Sequence, residues 1–155
     1  MSALFPGLPW GTRRLIVSFD LDGTLDFGDP PGPVGPAAIR TLQAGGTVVG
    51  SCSDRTALDQ RRLWSMAGLS PMFVVVKSHL KILRSDFPDA LLVHVGDRFA
   101  DQLEAQSAGC LFVHVEEVSR EVWRDSARFY EELHRRNTTD RHAQFGRWPE
   151  TEKKA

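Results

Sequence analysis

Five short apolar runs, separated by segments of helical character, constrain the fold of this chain more than any other feature. The runs are rich in Val, Ile, Leu and Phe. They span Leu15 to Phe19, Thr47 to Cys52, Met72 to Val76, Ala90 to Val95 and Leu111 to Val115. Each run is continuous rather than alternating, which is typical of parallel strands covered on both faces. The sequence therefore predicts five buried strands.

Helical segments fill the gaps between these strands. Helices are predicted over Pro36 to Ala44, Thr56 to Ala67, Ser78 to Arg84 and Ala100 to Ala108, and a glycine follows three of them. Strand and helix alternate over about 100 residues, a pattern that favours an α/β sandwich with a parallel sheet and right-handed crossovers.

Three stretches lie outside this core. Residues 26–35, DFGDPPGPVG, hold three prolines and three glycines, so we expect an exposed flap there. Residues 119–136 carry apolar side chains at helical spacing and predict a closing helix packed on the sheet. Residues 137–155 are polar without an apolar period, which predicts a flexible tail. Residues 1–136 are thus expected to form a single domain.

Composition narrows the class of protein. A chain of 155 residues has room for one domain, and 41% hydrophobic with 25% charged residues is ordinary for a globular protein. The formal net charge of −1 lacks the basic excess of most nucleic-acid binders. No apolar run approaches the roughly 18 residues of a membrane span. The two cysteines lie in or beside apolar runs, which fits a reducing compartment. We expect a soluble cytoplasmic protein with no membrane partner.

Polar side chains cluster where the predicted strands end, and ligands of an open parallel sheet bind beyond that edge. The residues that follow or end the first four strands are Asp20, Asp22, Ser51, Ser53, Lys77, Asp97 and Asp101. Carboxylate and hydroxyl oxygens form a hard site suited to Mg²⁺, which fills its shell with water and phosphate oxygens.

These residue types fit phosphoryl transfer. The Asp20 carboxylate can attack phosphorus, which splits one difficult displacement into two easier ones. Asp22, two residues along an extended segment, can exchange a proton with the leaving group and with water. Lys77 and a cation held partly by Asp97 would offset the repulsion between carboxylates and phosphate. A hydroxyl at the end of the second strand can bind a phosphoryl oxygen.

The same residues carry a resemblance to a known family. The run FDLDGTL, Phe19 to Leu25, resembles the first motif of the haloacid dehalogenase (HAD) superfamily of phosphohydrolases. GDRFAD, Gly96 to Asp101, is similar to the fourth motif, Lys77 resembles the third, and SCSDR at 51–55 resembles the second. All four occur in the family's order within residues 14–115.

The resemblance implies a Rossmann-like three-layer sandwich, Mg²⁺, a nucleophilic Asp20 and an acid/base Asp22. It implies that the metal is bound by the Asp20 carboxylate, the Asp22 backbone carbonyl and Asp97, with Asp101 supporting the shell directly or through water. For the phosphate-binding hydroxyl of the second motif, Ser51 and Ser53 remain equal alternatives.

The spacing of the motifs leaves no room for the cap domain that many family members insert. Asp22 and Ser51 are separated by the flap and one predicted helix, and Ser53 and Lys77 by one predicted helix. The resemblance therefore implies the capless type, which admits bulky substrates or closes its site by forming a homo-oligomer. The flap at 26–35 is the local candidate for a cover.

The expected function is a Mg²⁺-dependent phosphatase acting on a phosphorylated small molecule or macromolecular end. The alternative is a non-catalytic binding module with the same fold. A response-regulator receiver is excluded by motif order, because its phosphorylated Asp follows the third strand, where this chain has Val76 and Lys77. Asp54 and Arg55 are interpreted as a solvated pair or a helix cap, with contact to the substrate as the alternative, and His94 is interpreted as a packed strand residue.

Overall fold

The computed structural model describes residues 14–118 and 120–136. Strands and helices alternate along this part of the chain. The strands are β1 (Leu15–Phe19), β2 (Val48–Ser53), β3 (Val74–Val76), β4 (Leu91–Gly96) and β5 (Leu111–His114). The helices are α1 (Pro36–Ala44), α2 (Ala57–Met66), α3 (Ile82–Asp86), α4 (Phe99–Ser107) and α5 (126–136), with 3-10 turns at Lys77–His79 and Arg120–Trp123.

The five strands form one parallel sheet in the order β3-β2-β1-β4-β5. β1 lies at the centre, with Val17 in register with Val49 of β2 and Val93 of β4. All five residues of β1 and all six of β4 are buried, as the continuous apolar runs predict. The predicted five-stranded parallel α/β fold of Rossmann-like type is confirmed.

Helices cover both faces of the sheet. Alternate residues of β1 belong to two separate apolar clusters, with Val17 in one and Ile16 in the other. The first cluster contains residues of α1, α2 and α5, and the second contains residues of α3, α4 and the turn before α3. The result is a three-layer sandwich. None of the helices in the described part of the chain is long and apolar enough to cross a membrane.

Two predicted helices differ from those in the structure. The helix expected over Ser78 to Arg84 is a 3-10 turn at Lys77–His79 followed by α3. The tighter turn buries both Lys77 and Leu80. The closing helix predicted over 119–136 is interrupted, because the Asp125 Oδ1 accepts a hydrogen bond from the Ala127 backbone N–H at 3.0 Å and caps a new helix.

The segment 26–35 is an anchored loop rather than a freely exposed flap. Val34 is fully buried and bridges to Leu25, and the Asp26 N–H donates to the Val34 carbonyl at 2.8 Å. The ring of Phe27 lies 5.3 Å from that of Trp64 in an edge-to-face contact. The prolines at 30 and 31 are exposed. The predicted tail at 137–155 lies outside the described residues.

Candidate metal centre

Three carboxylates meet at the carboxyl edge of the sheet. Asp20 follows β1, Asp97 follows β4, and Asp101 lies in the first turn of α4. One oxygen from each lies within 4.8 Å of the others, which is close enough to hold one metal ion. Asp20 and Asp101 are buried, and Asp97 is partly buried. This arrangement follows directly from the pairing of β1 with β4, which brings their ends side by side.

Backbone geometry holds the three acids in place. The Asp20 N–H donates to the Val95 carbonyl at 2.8 Å, which extends the β1–β4 ladder to the first acid. Asp101 Oδ2 accepts hydrogen bonds from the Asp97 N–H at 3.1 Å and the Arg98 N–H at 3.0 Å. Gly23 has a φ of +77°, and a Cβ there would lie 1.9 Å from Asp97 Oδ2. Only glycine allows this loop to approach the acid group so closely.

Three buried carboxylate oxygens of this group have no hydrogen-bond partner among the described residues, and one of them, Asp101 Oδ1, is ion-paired with Lys77 Nζ at 2.5 Å. Asp20 Oδ1 accepts a hydrogen bond from the Leu21 N–H at 2.8 Å. Asp20 Oδ2 and Asp97 Oδ1 are buried but accept no hydrogen bond from any described residue. Buried acceptors are normally satisfied, and a hard divalent cation is a partner that prefers carboxylate oxygens. The residues present therefore fit a metal ion such as Mg²⁺.

The three acids have pKa values that are shifted in different directions. Burial and the Asp101 charge raise the pKa of Asp20 to about 7. Burial and the same charge raise the pKa of Asp97. The pKa of Asp101 is lowered, because its interactions with His94 and Lys77 outweigh the burial that opposes them. A bound cation would offset the Asp101 charge, which adds to burial in raising the pKa of Asp20.

Lys77 joins the acid group from the 3-10 turn that follows β3. Its Nζ lies 2.5 Å from Asp101 Oδ1, 3.6 Å from Asp20 Oδ2 and 3.7 Å from Asp54 Oδ2. Burial opposes its charge, but the contact with Asp101 and the Asp20 charge raise its pKa. Lys77 is therefore a protonated, buried cation inside the site.

His94 lies beneath the acid group. It is fully buried in β4, as predicted, with Nδ1 3.1 Å from Ser18 Oγ. Its Nε2 also lies 3.8 Å from Asp101 Oδ1, a contact that was not predicted. The available signal is a polar residue three positions before Asp97 in an otherwise apolar strand.

Asp22 lies next to the acid group, but its carboxylate faces elsewhere. Asp22 Oδ1 accepts hydrogen bonds from the Arg55 Nη2 at 3.0 Å and the Asp29 N–H at 2.8 Å, and Arg55 Nε lies 3.1–3.2 Å from both oxygens. Burial opposes its ionisation, but these donors outweigh it and lower the pKa of Asp22. Its carboxylate is not part of the group that could hold a metal.

The segment Asp54-Arg55 is not a pair and not a helix cap. Arg55 bonds to Asp22 and, through Nη1, to Asp59 Oδ2 at 2.6 Å, whereas Asp54 contacts Lys77 and the Arg98 Nη2 at 3.1 Å. α2 is capped by Thr56, whose hydroxyl accepts from the backbone of its third residue. The interpretation of these two residues as a solvated pair or cap is wrong, because each reaches a partner from another loop.

The two serines of β2 have different surroundings. Ser51 Oγ donates to Gln60 Oε1 at 2.7 Å and accepts from the Trp64 Nε1 at 2.8 Å. Ser53 Oγ accepts only the Arg55 N–H, at 3.1 Å, among the hydrogen bonds of the described residues. Ser51 is thus committed to a network below the site, whereas Ser53 ends the strand at the site's edge.

Gln60 is an unpredicted member of that network. It is fully buried on α2, and its Nε2 donates to the carbonyls of Arg55 and Val75 at 3.0 Å each. One side chain therefore joins the loop after β2 to the end of β3, close to Lys77. A glutamine on a largely polar helix carries no sequence signal for this role.

The assembled site combines a buried acid group with an adjacent lysine and a guanidinium held on neighbouring carboxylates. It can hold a divalent cation through Asp20, Asp97 and Asp101, and Lys77 supplies a fixed positive charge beside them. Comparisons with protein-family models, curated proteins and solved structures find no match for this chain.

Proposed function

We propose that this protein is a Mg²⁺-dependent phosphatase of the capless HAD type, which hydrolyses a phosphomonoester through an aspartyl-phosphate on Asp20. The observation that carries the proposal is the buried Asp20 carboxylate. One of its oxygens has no hydrogen-bond donor, and it lies beside a buried lysine and two further acids. A purely structural aspartate at this depth would have its lone pairs satisfied.

Asp20 is suited to act as the nucleophile. Its Oδ1 is oriented by the Leu21 N–H, so the carboxylate has a defined direction at the end of β1. Attack by Asp20 on phosphorus forms the aspartyl-phosphate bond and breaks the bond to the leaving oxygen. The orientation reduces the entropy lost when the phosphoryl group is brought into line.

The charges around Asp20 support an anionic substrate. Bound Mg²⁺ would supply charge neutralisation and polarise the phosphoryl group, and Asp20, Asp97 and Asp101 would hold it. Lys77 stays protonated next to Asp20 and contributes its charge to the phosphoryl oxygens. Ser53, at the end of β2, is the better placed serine to bind such an oxygen, because Ser51 Oγ is already engaged twice.

Asp22 is the acid/base candidate for the two half-reactions. In the first it gives a proton to the leaving oxygen, and in the second it removes a proton from the water that attacks the aspartyl-phosphate. The water oxygen then remains on phosphate, and the Asp20 carboxylate is restored. The lowered pKa of Asp22 suits the second step in the resting protein, whereas the first requires its contacts with Arg55 to open.

A phosphate-release assay tests the proposal. Wild-type protein is incubated with an aryl phosphate and a panel of phosphometabolites, with Mg²⁺ or with EDTA. Phosphate release should require Mg²⁺ and should fall at least about 10³-fold in Asp20→Asn. Asp86→Asn removes an exposed acid at the end of α3 and should retain wild-type rates.

The alternative of a binding module gives a different result. It predicts that wild type and Asp20→Asn are equally silent towards small substrates and towards phosphopeptides and 5′- or 3′-phosphorylated oligonucleotides. Mg²⁺ binding by the silent wild type would then leave a metal-dependent binding protein as the better description.

A further inference from the structure

Among the described residues, Arg55 is the one arginine that forms hydrogen bonds with Asp22. It lies in the loop that directly follows Ser53 and β2. Its Nε and Nη2 bond to the Asp22 carboxylate, and its Nη1 bonds to Asp59. The Arg55 N–H also donates to Ser53 Oγ, and its carbonyl accepts from Gln60. The backbone is therefore fixed at both peptide groups, and only the side chain is free to exchange partners.

The contact with Asp22 is of a kind that a phosphate can replace. A guanidinium presents two parallel N–H groups that match a carboxylate and a phosphate equally well. The side chains of Arg55 and Asp22 are 26% and 34% exposed, so an entering anion can reach the pair without unfolding the loop. Asp59 holds the third nitrogen and would keep the guanidinium at the site during an exchange.

The charge of the site gives a reason for the exchange. Lys77 lies within 4 Å of three carboxylates, so its charge is largely balanced before any substrate arrives. A phosphate dianion bound beside Asp20 needs a further cation, and Arg55 is attached two residues after Ser53. Both Asp22 oxygens accept bonds from Arg55 and one also accepts from Asp29, so Asp22 cannot turn to a leaving group while these contacts persist.

We propose that Arg55 is a substrate ligand that is bound to Asp22 and Asp59 in the free protein. The phosphate of the substrate then displaces Asp22 from the Nε and Nη2 donors of Arg55. Binding then supplies a cation to the phosphate and frees the Asp22 carboxylate from Arg55 in one step, leaving its hydrogen bond from the Asp29 N–H. This inference rests on the proposed phosphatase function, because it takes the ligand to be a phosphate group next to Asp20.

Inorganic phosphate, the product, tests the exchange without any turnover. Its dissociation constant in the presence of Mg²⁺ is measured by isothermal titration calorimetry on folded wild type, Arg55→Ala, Arg55→Lys, Asp22→Asn and the double variant Arg55→Ala/Asp22→Asn. We expect Arg55→Ala to weaken phosphate binding about tenfold or more. Arg55→Lys keeps the positive charge but lacks the paired N–H donors of a guanidinium, so it should weaken phosphate binding by about threefold or more.

The double-mutant cycle separates the exchange from simple charge repulsion. Asp22→Asn should tighten phosphate binding when Arg55 is present, because the guanidinium no longer has to give up its contact with a carboxylate. The tightening should be several-fold smaller in the Arg55→Ala background. Equal tightening in both backgrounds, or wild-type affinity in Arg55→Ala, would overturn the inference.

A matched control removes a different arginine. Arg128 on α5 contacts two carboxylates, Glu121 and Asp125, and is exposed. Arg128→Ala should change the affinity for phosphate by less than about twofold. If wild type with Mg²⁺ binds no phosphate, the proposed function and this inference both fail. If it binds phosphate but the cycle shows no coupling, only the role of Arg55 fails.

Discussion

The buried polar groups near the end of β2 have hydrogen-bond partners, whereas some of those near the end of β1 do not. Below the end of β2, Ser51, Gln60 and Trp64 form a network in which the serine hydroxyl both donates and accepts and the glutamine uses both amide protons. At the end of β1, Asp20 Oδ2 is buried and accepts no hydrogen bond from the described residues, and the same holds for Asp97 Oδ1 at the adjoining end of β4. The two regions lie on adjacent strands of the same sheet.

The difference separates scaffold from site. A saturated buried network contributes rigidity, because each lost partner leaves a group that water cannot reach. Unsatisfied buried carboxylate oxygens cost free energy, and their natural explanation is a ligand that completes them. Each of the following changes alters one side of this comparison, in order of decreasing expected effect.

Removing a carboxylate from the acid group should weaken metal binding strongly. Asp97→Ala takes away one of the three oxygens that can hold the ion, so Mg²⁺ affinity should fall about 100-fold, equivalent to about 2.7 kcal/mol. Calorimetric titration with Mg²⁺ measures the change. Asp86→Ala, which removes an exposed acid from α3, should leave the affinity unaltered. Undiminished binding in Asp97→Ala would show that the ion is held elsewhere.

Removing the amide donor of Gln60 from the network below the end of β2 should lower the stability of the protein. Gln60→Met preserves the length of the side chain but leaves the Arg55 and Val75 carbonyls without their donor. We expect the free energy of unfolding in urea to fall by about 2 kcal/mol. Gln43→Met is the matched control, since Gln43 Nε2 donates to the Ser70 carbonyl at 3.0 Å from a partly exposed position on α1. It should cost less than about 0.5 kcal/mol, and equal losses would contradict the distinction.

Neutralising Asp20 should stabilise the metal-free protein. Its pKa is about 7 when folded and 3.8 in an unconstrained chain, so ionisation penalises the folded state increasingly between those values. Asp20→Asn should therefore match wild type near pH 4 and become progressively more stable than wild type as the pH rises to 7 in EDTA.

Saturating Mg²⁺ should reverse that order, because the ion stabilises only a protein that binds it. Thermal unfolding across pH, with and without Mg²⁺, measures both effects. A wild type that is more stable than Asp20→Asn in EDTA at pH 8 would show that Asp20 is not held in an unfavourable environment.

The sheet and the acid group were predictable because each depends on a local pattern. Continuous apolar runs predict buried parallel strands, and polar residues directly after them must meet at one edge. This pattern places Asp20, Lys77, Asp97 and Asp101 at one edge of the sheet, where the structure brings them together.

The unpredicted contacts join residues whose spacing in sequence does not follow the repeat of a helix or a strand. Arg55 bonds to Asp22 across two loops, and Gln60 serves carbonyls from two different segments. Val34, within a stretch of prolines and glycines, is buried by a bridge to Leu25. Such contacts arise from how the loops fold back on the sheet, and residue type alone does not specify them.

The central position of β1 determines when the metal site can exist during folding. Asp20 precedes its partners in the chain, because Asp97 follows β4 and Asp101 lies on α4, and two strands and three helices separate β1 from β4. The acid group therefore cannot assemble until β4 and α4 have been synthesised. Binding of an ion by this group would therefore wait until the β1–β4 pairing is complete, and such long-range pairing is a slow class of contact.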